Sequence, residues 1–399
     1  MNIVIVGTGY VGLVTGVGFA EQGHKVSFID LDSSKIEKLK NKQLPFFEPD
    51  LDTYFSKEEN FKRMSFNSSY NSLNWDDSEI VFICVQTPNN IETNSVDTKF
   101  LESAISEISK LDNKEIVITV KSTIPPYEIE NVCNNVGYDQ NLLTFNPEFL
   151  REGSAVYDFF NPDRIVIGGL NTEKTNKLQE LYKGYEAEII VTDPISSQLI
   201  KYLANTYLPM RLSFVNEATR LSSYSGANLV DVLKGVGLDS RIGSHYFRPS
   251  PSWGGSCFPK DLVEVNNFYK KDKLKLPLIS NIIESNNEHL NWTVNQLLSL
   301  KNNNNLEEFV LVGAAFKENT DDLRNSPTLD IYKILDDMGE QVTILDTEIE
   351  VPNHNYISSV EDVASKSLIS IMYPINDELD KKLLDYTSQN KSIIYYPWR

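Results

Sequence analysis

Cys257 lies in Trp253-Gly254-Gly255-Ser256-Cys257-Phe258-Pro259-Lys260-Asp261, a stretch whose glycines allow close approach and whose next polar residues are a cation and a carboxylate. A cysteine attacks as its thiolate, and a nearby cation or a helix N-terminus favours that form. The residues alone leave Cys257 open between a nucleophile and an inert loop thiol. Lys201 and Asn205 are four apart in a helical pattern, hence on one face. A cation beside an amide donor can stabilise an oxyanion, although a helical lysine is more often solvated surface. Asn146-Pro147-Glu148-Phe149-Leu150-Arg151-Glu152 follows an expected strand, which in an open α/β sheet puts it at the ligand-binding carboxyl edge. Glu148 and Glu152 are candidates for acid or base work there; Glu152 could equally cap a helix or pair with Arg151.

A second constellation binds rather than reacts. Gly7-Thr8-Gly9-Tyr10-Val11-Gly12 fits G-x-G-x-x-G directly after the apolar run 2–7, and Asp30 ends the next such run 18 residues after Gly12. The first glycine permits a tight turn, the second lets a pyrophosphate approach the backbone, and the third lets helix pack on strand. The diphosphate then sits at the helix N-terminus. Asp30 would accept from a ribose 2′-hydroxyl and repel a 2′-phosphate, which favours NAD over NADP.

These residues need a scaffold, and the apolar runs supply one. Runs at 25–30, 80–85, 116–120, 142–145, 165–167 and 188–191, spaced widely enough for helices, predict a mainly parallel sheet covered on both faces. After Asp193-Pro194 one long helical segment is expected, from 195 to about 223, with Pro209 inside it costing a hydrogen bond and a possible kink. Residues 239–261 read as a Gly/Pro/Ser loop and 301–305 as a polar break between domains. The strand and helix rhythm then resumes at 309–312, 328–338, 341–346, 368–372 and 392–396. The expected fold is α/β: two Rossmann-like domains with mainly parallel sheets joined by a long central helical segment. The domains are 1–194 for NAD, 195–300 as central helical and dimerisation region with the cysteine loop, and 301–399 as a second α/β domain.

Composition narrows the function. The chain has 399 residues and a net charge of −19, which repels a nucleic-acid backbone, and no stretch is apolar enough for a membrane span. Cys84, Cys133 and Cys257 form an odd set without metal-like spacing, and the N-terminus runs straight into a strand pattern. No metal, no disulfide framework and a reducing, cytoplasmic setting are expected. Cys84 and Cys133 read as structural thiols, and the four histidines carry no cysteine-protease signature. Tyr269 and Lys273 fit a Tyr-x-x-x-Lys spacing, which reads as coincidence in so charged a stretch.

Together the motifs resemble the nucleotide-sugar dehydrogenases, the UDP-glucose/GDP-mannose dehydrogenase family. They run through nearly the whole chain in the family's order: GTGYVG at 7–12, KSTIP at 121–125, NPEFLREG at 146–153, NPDRIVIGG at 161–169, KYLANTYL at 201–208, LDSRIGSHY at 238–246, WGGSCFPKD at 253–261 and AFKENTDDLRNSP at 315–327. The resemblance implies oxidation of a sugar's C6 alcohol to a carboxylate with two NAD+, through a thiohemiacetal and then a thioester on Cys257. It implies that Lys201 and Asn205 stabilise the oxyanion and that Glu148, Thr123 and Asp261 orient or deprotonate water, with Glu148 the preferred base.

On the cofactor side it implies Gly7, Gly9, Tyr10, Val11, Gly12, Asp30, Lys35, Thr87, Thr123, Glu152 and Arg324. For the UDP-sugar it implies Phe149, Leu150, Arg151, Glu152, Lys201, Asn205, Tyr246, Phe247, Arg248, Pro249, Ser250, Gly254 and Lys317, with Arg241 reaching across a homodimer. Cys257 followed by Phe-Pro-Lys-Asp, with Arg241-Ile242-Gly243, resembles the UDP-glucose branch. GDP-mannose and UDP-N-acetylhexosamine are the alternative substrates. Outside the family, a two-electron hydroxyacid dehydrogenase would leave Cys257 without a role, and an NAD-responsive binding protein would need no nucleophile.

Overall fold

The computed structural model describes residues 1–90, 95–111, 115–271 and 274–398, so Lys273 lies outside the described residues. The chain divides into two compact units, Met1–Ala204 and Asn205–Arg399.

In the first unit, short β-branched runs form β1 (Asn2–Val6), β2 (Lys25–Ile29), β3 (Met64–Asn67), β4 (Ile80–Ile83), β5 (Val117–Val120), β6 (Leu143–Phe145), β7 (Arg164–Gly169) and β8 (Glu188–Thr192). They lie in one sheet in the order β8-β7-β6-β5-β4-β1-β2-β3. All neighbours are parallel except β6 and β7, which pair antiparallel through Thr144 with Gly169 and Phe145 with Gly168. The central strands β1 and β4 are buried on both faces, which explains their unbroken apolar runs. Chain order reverses between β1 and β4, and a crevice at such a switch point is where this architecture binds ligands. Helix α1 (Tyr10–Glu21) packs on the sheet with Leu13, Val14, Val17, Phe19 and Ala20 in its core. Strand β3 was not expected; its alternating buried and exposed pattern, spread over four residues at the sheet edge, gave little signal.

Helix α2 is Ser33–Lys40, and α3 is Ala155–Phe160. Helix α4 spans Pro194–Ser225 and contains the boundary between the units. It starts where Asp193 predicts, since Asp193 Oδ1 accepts from the Ser196 amide at 2.9 Å, and it continues unbroken through Pro209.

The second unit contains α5 (Phe258–Lys271), α6 (Ile282–Asn303) and an all-parallel sheet of β9 (Glu308–Val312), β10 (Val342–Leu345), β11 (Tyr356–Ile357), β12 (Ser367–Ile371) and β13 (Ile393–Tyr395), ordered β11-β10-β9-β12-β13. Helix α7 (Pro327–Asp337) follows β9. Two expectations are corrected here. The loop ends at Cys257, because Phe258 already opens α5; Pro259 is tolerated in a first turn, whose amide lacks a helical partner anyway. The asparagine-rich break is half helix, since α6 runs to Asn303. No helix among the described residues is long and apolar enough to cross a membrane.

Candidate functional site

At the end of β1 the chain turns through Gly7 at φ +98°, and a Cβ there would stand 2.6 Å from the Cys84 carbonyl oxygen. A Cβ on Gly12 would stand 2.0 Å from the Gly7 oxygen, whereas one on Gly9 would meet nothing within 4 Å. Two glycines are therefore required by the fold, and the third borders open space at the N-terminus of α1, whose first turn holds no acidic residue. Asp30, just beyond β2, closes the turn: Oδ2 accepts from the Thr8 amide at 2.8 Å and the Thr8 hydroxyl at 2.7 Å, and Oδ1 from the Asp32 amide at 3.0 Å. An open helix N-terminus with a fixed carboxylate beside it fits a dinucleotide diphosphate and ribose. Thr87 and Thr123 meet through a 3.0 Å bond from Thr87 Oγ1 to the Thr123 carbonyl. Lys35 is half-buried in the first turn of α2. Val11 is half-buried on α1.

The loop after β6 is held from several directions. Glu148 is buried; its Oε1 accepts from Lys201 Nζ at 2.9 Å and its Oε2 from the Leu150 amide at 2.7 Å. Lys201 is 3% exposed, so the solvated-surface reading of this lysine does not hold. The Phe149 ring lies under the Arg164 guanidinium at 3.6 Å and the Lys201 ammonium at 5.3 Å. Arg151 pairs with Asp158: its amide donates at 2.8 Å, Nε at 3.0 Å and Nη2 at 2.5 Å.

Two residues that sequence reasoning passed over organise this loop. Glu48, 3% exposed, accepts from Tyr10 Oη at 2.5 Å, the Gly153 amide at 2.7 Å and the Ala155 amide at 2.6 Å. It thereby ties the glycine turn to the loop of Glu148 and caps α3. Burial pushes the Glu48 carboxyl up against the pull of these donors, and burial with Glu48 pushes the Tyr10 phenol far up. The available signal was a lone charge in Leu44-Pro45-Phe46-Phe47-Glu48-Pro49. Lys121, fully enclosed, donates to Asn146 Oδ1 at 2.8 Å, which also accepts from Tyr182 Oη at 2.6 Å. Burial lowers the Lys121 ammonium to about 8.

In the second unit Cys257 is exposed, while the other thiols, Cys84 and Cys133, are buried as expected. Cys257 precedes the first residue of α5, and its carbonyl accepts from the Asp261 amide at 2.9 Å. Asp261 is 1% exposed; Asn205 Nδ2 donates to its Oδ2 at 2.7 Å and Lys260 Nζ stands 2.8 Å from its Oδ1. Gly254 is fixed by the fold, since a Cβ would fall 1.8 Å from the Asn325 oxygen. A cleft at the carboxyl edge of the sheet is lined by Arg248, Pro249, Ser250, Lys317, Tyr373 and Trp398 among others. Arg248 Nη2 also bonds Glu318 at 3.1 Å. Tyr246 takes φ +54°, and Phe247 lies under the Arg211 guanidinium at 5.4 Å. Arg241 and Arg324 are both exposed, and each is held by a carboxylate two residues earlier, Asp239 and Asp322. No group of three potential metal ligands occurs among the described residues.

Comparison with known proteins agrees along the chain. Residues 1–186 match the NAD binding domain of the UDP-glucose/GDP-mannose dehydrogenase family, 195–288 its central domain and 310–388 its UDP binding domain. A UDP-glucose 6-dehydrogenase of Rickettsia bellii is 38% identical over 353 residues, 87% of this chain and 81% of that one. The structure of a UDP-glucose dehydrogenase from Pyrobaculum islandicum superposes with a TM-score of 0.87 at 29% identity, covering 100% of this chain and 94% of that one. A UDP-D-ManNAc dehydrogenase from Pyrococcus horikoshii gives the same TM-score, 0.87, at 23% identity, covering 100% and 96%, and shares the fold alone. The matched NAD binding domain and the glycine turn agree on NAD as cofactor. The chain belongs to the UDP-glucose/GDP-mannose dehydrogenase family of oxidoreductases.

Proposed function

We propose that the protein oxidises UDP-glucose to UDP-glucuronate in two NAD-dependent steps, with Cys257 as the nucleophile. The observation that carries this reading is the exposed thiol at the head of α5, where the positive end of the helix favours a thiolate, one turn from an Asp261 bonded to Asn205. NAD, when bound, accepts the hydride released in each step. The C6 alcohol gives up one hydride, and its hydroxyl proton passes to water, to become an aldehyde. Sγ of Cys257 then adds to that carbon, and the carbonyl electron pair moves onto oxygen, where Lys201 and Asn205 supply donors. Loss of the second hydride from the same carbon leaves a thioester. Water, its proton taken by Glu148, adds to the thioester and expels the thiolate, giving the carboxylate. Thr123 and Asp261 orient that water. Arg248, Ser250 and Lys317 hold the UDP moiety together with Phe149 to Glu152, Tyr246, Phe247, Pro249 and Gly254, and Arg324, Lys35, Thr87 and Glu152 join the glycine turn around NAD.

We further assign a homodimer formed through α4. Leu203, Tyr207, Phe214 and Leu221 are exposed on this helix at spacings of four and seven residues, an apolar stripe suited to a second copy, which the exposed Arg241 would then reach. The functional division is 1–194, 195–300 and 301–399, supported by the three matched family domains. Free thiols and a nucleotide-sugar substrate suit a cytoplasmic setting.

The test is stoichiometry with limiting sugar and excess NAD+. Two NADH per UDP-glucose supports the reading, and Cys257→Ser should then stop the second oxidation. One NADH per sugar, or full turnover by C257S, removes the nucleophile. Two NADH only with GDP-mannose or a UDP-N-acetylhexosamine keeps the mechanism and moves the substrate.

A further inference from the structure

One face of α6 carries Asn286, His289 and Thr293, three and four residues apart, and all three grip the main chain between Ser250 and Trp253. Asn286 Oδ1 accepts from the Trp253 amide at 2.9 Å while its Nδ2 donates to the Trp253 carbonyl at 2.9 Å. His289 Nε2 stands 2.9 Å from the Ser250 carbonyl, and Thr293 Oγ1 donates to the Pro251 carbonyl at 3.2 Å. From α4, Asn216 Oδ1 accepts from the Ser250 amide at 3.0 Å, and Ser213 Oγ accepts from the Trp253 indole at 2.9 Å. All five side chains are buried. Burying polar groups is costly unless they find partners, and these converge on one four-residue stretch: Asn286, His289, Thr293 and Asn216 bond its main chain, and Ser213 bonds its Trp253 indole.

His289 is the sharpest member. It is fully buried, its ring stacks on Trp292 at 5.3 Å, and burial lowers its imidazole to about 4. A carbonyl can only accept, so the neutral ring must carry its hydrogen on Nε2, toward Ser250. The gripped stretch lies where position matters. Ser250 lines the cleft with Arg248 and Lys317, and four residues beyond Trp253 the chain reaches Cys257, after Asn325 Nδ2 has bonded the Gly255 carbonyl at 3.0 Å. A strap ordered before its ligand arrives loses less conformational entropy on binding.

We propose that Asn286, His289 and Thr293 are positioning residues that preset the Ser250–Trp253 strap for the nucleoside diphosphate of the substrate. The proposal rests on the function assigned above. Its test compares His289→Ala and His289→Gln with the wild type in the full chain, measuring KM for UDP-glucose, calorimetric affinity for UDP alone, and affinity for NAD+. Leaving the Ser250 carbonyl without its donor should raise the KM and weaken UDP binding by roughly tenfold, with NAD+ affinity within about twofold. H289Q, whose amide N–H can reach the same carbonyl, should recover most of the loss. UDP affinity and KM unchanged in H289A, or a parallel loss for UDP and NAD+, overturns the proposal. If H289A does not fold, Thr293→Val, which removes one donor at constant shape, carries the same comparison with a smaller expected rise. Because UDP binding is read without turnover, a wild type that binds UDP but forms no NADH from UDP-glucose would refute the assigned function and leave the strap still testable.

Discussion

The first turn of each sheet is built alike and used differently. After β1, Gly7 takes φ +98° and its amide donates to the Ile29 carbonyl at 2.7 Å; after β9, Gly313 takes φ +94° and its amide donates to the Leu345 carbonyl at 3.0 Å. Each next strand is followed by an aspartate that accepts from the amide after the glycine, Asp30 from Thr8 at 2.8 Å and Asp346 from Ala314 at 2.9 Å. There the likeness ends. In the first unit α1 begins three residues after Gly7, leaving its N-terminus open to an anion. In the second, α7 begins only at Pro327, its start is tied back by Ser326 Oγ to the Ala314 carbonyl at 2.6 Å and Thr328 Oγ1 to the Gly313 carbonyl at 2.7 Å, and Tyr373 packs against Gly313. The longer connection carries Lys317 and Arg324 instead. On the function proposed above, the first βα unit would meet a diphosphate with backbone donors and a helix dipole, and the second would meet one with the side chain of Lys317.

Gly9 gives the sharpest way to break the contrast. Its would-be Cβ meets nothing within 4 Å, so Gly9→Val should leave the melting temperature close to the wild type. The same side chain fills the space a pyrophosphate needs, and NAD+ affinity should fall by on the order of a thousandfold, about 4 kcal/mol. UDP binding should be unaffected. A variant that still binds NAD+ normally would show that the first turn is not the dinucleotide site.

Each unit also holds a buried base whose proton affinity burial lowers, Lys121 beside Asn146 and His289 beside Ser250, and the two act at opposite ends of the pH range. His289 falls from its ordinary 6.5 to about 4, so between those values the unfolded chain binds a proton the folded chain refuses, and stability drops as pH falls from 6.5 toward 4. Lys121 falls from 10.5 to about 8, so stability rises as pH climbs from 8 toward 10.5. Each window is worth at most about 3 kcal/mol. Denaturant melts across pH should show the acid limb flattened in H289Q and the alkaline limb flattened in Lys121→Met; unchanged limbs would mean other groups dominate.

Asp346 is a structural copy of Asp30, so the two aspartates should separate function from stability. Asp346 is 7% exposed and accepts from the amides of Ala314, Glu348 and Ile349. Asp346→Asn turns one acceptor into a donor facing these amides and should cost about 2 kcal/mol with NAD+ affinity unchanged. Asp30→Asn should weaken NAD+ binding more than it lowers stability. Equal effects on both measures in both variants would erase the distinction.

The first turn was legible because its signal is local: spacing of Gly7, Gly9 and Gly12, a preceding apolar run, and Asp30. The second was invisible as a repeat because what it shares with the first, a positive φ at Gly313 and a carboxylate at Asp346, is geometry without a spaced motif. The sheets were legible from β-branched runs, but β3 and β11 were not, being short strands at sheet edges with half-polar patterns. Local reading also missed partners distant in the chain. Glu48 acts on Gly153 and Ala155, 105 and 107 residues away, and His289 acts on Ser250, 39 residues away. A buried polar residue reads as an anomaly in sequence until the chain that satisfies it is in place. Lys201 illustrates this in reverse: a helical lysine reads as surface until Glu148 is found beside it.

The smallest difference between the two turns is one hydroxyl. Thr8 gives Asp30 both its amide and its Oγ1, the latter at 2.7 Å, where Ala314 offers Asp346 the amide alone. Thr8→Ala therefore converts the first turn into the form of the second without touching the glycines. Thr8 is fully buried, so the variant leaves one Asp30 lone pair without its donor and a void of two heavy atoms, a loss of about 1 kcal/mol in stability. A carboxylate freed of that hydroxyl is held less firmly at the angle a ribose requires, and NAD+ affinity should drop by roughly fivefold while UDP affinity stays fixed. Serine at the same position restores the hydroxyl without the methyl and should recover the affinity. If T8A binds NAD+ as tightly as the wild type, Asp30 is positioned by the backbone amide alone, and the two turns differ only in where their helices begin.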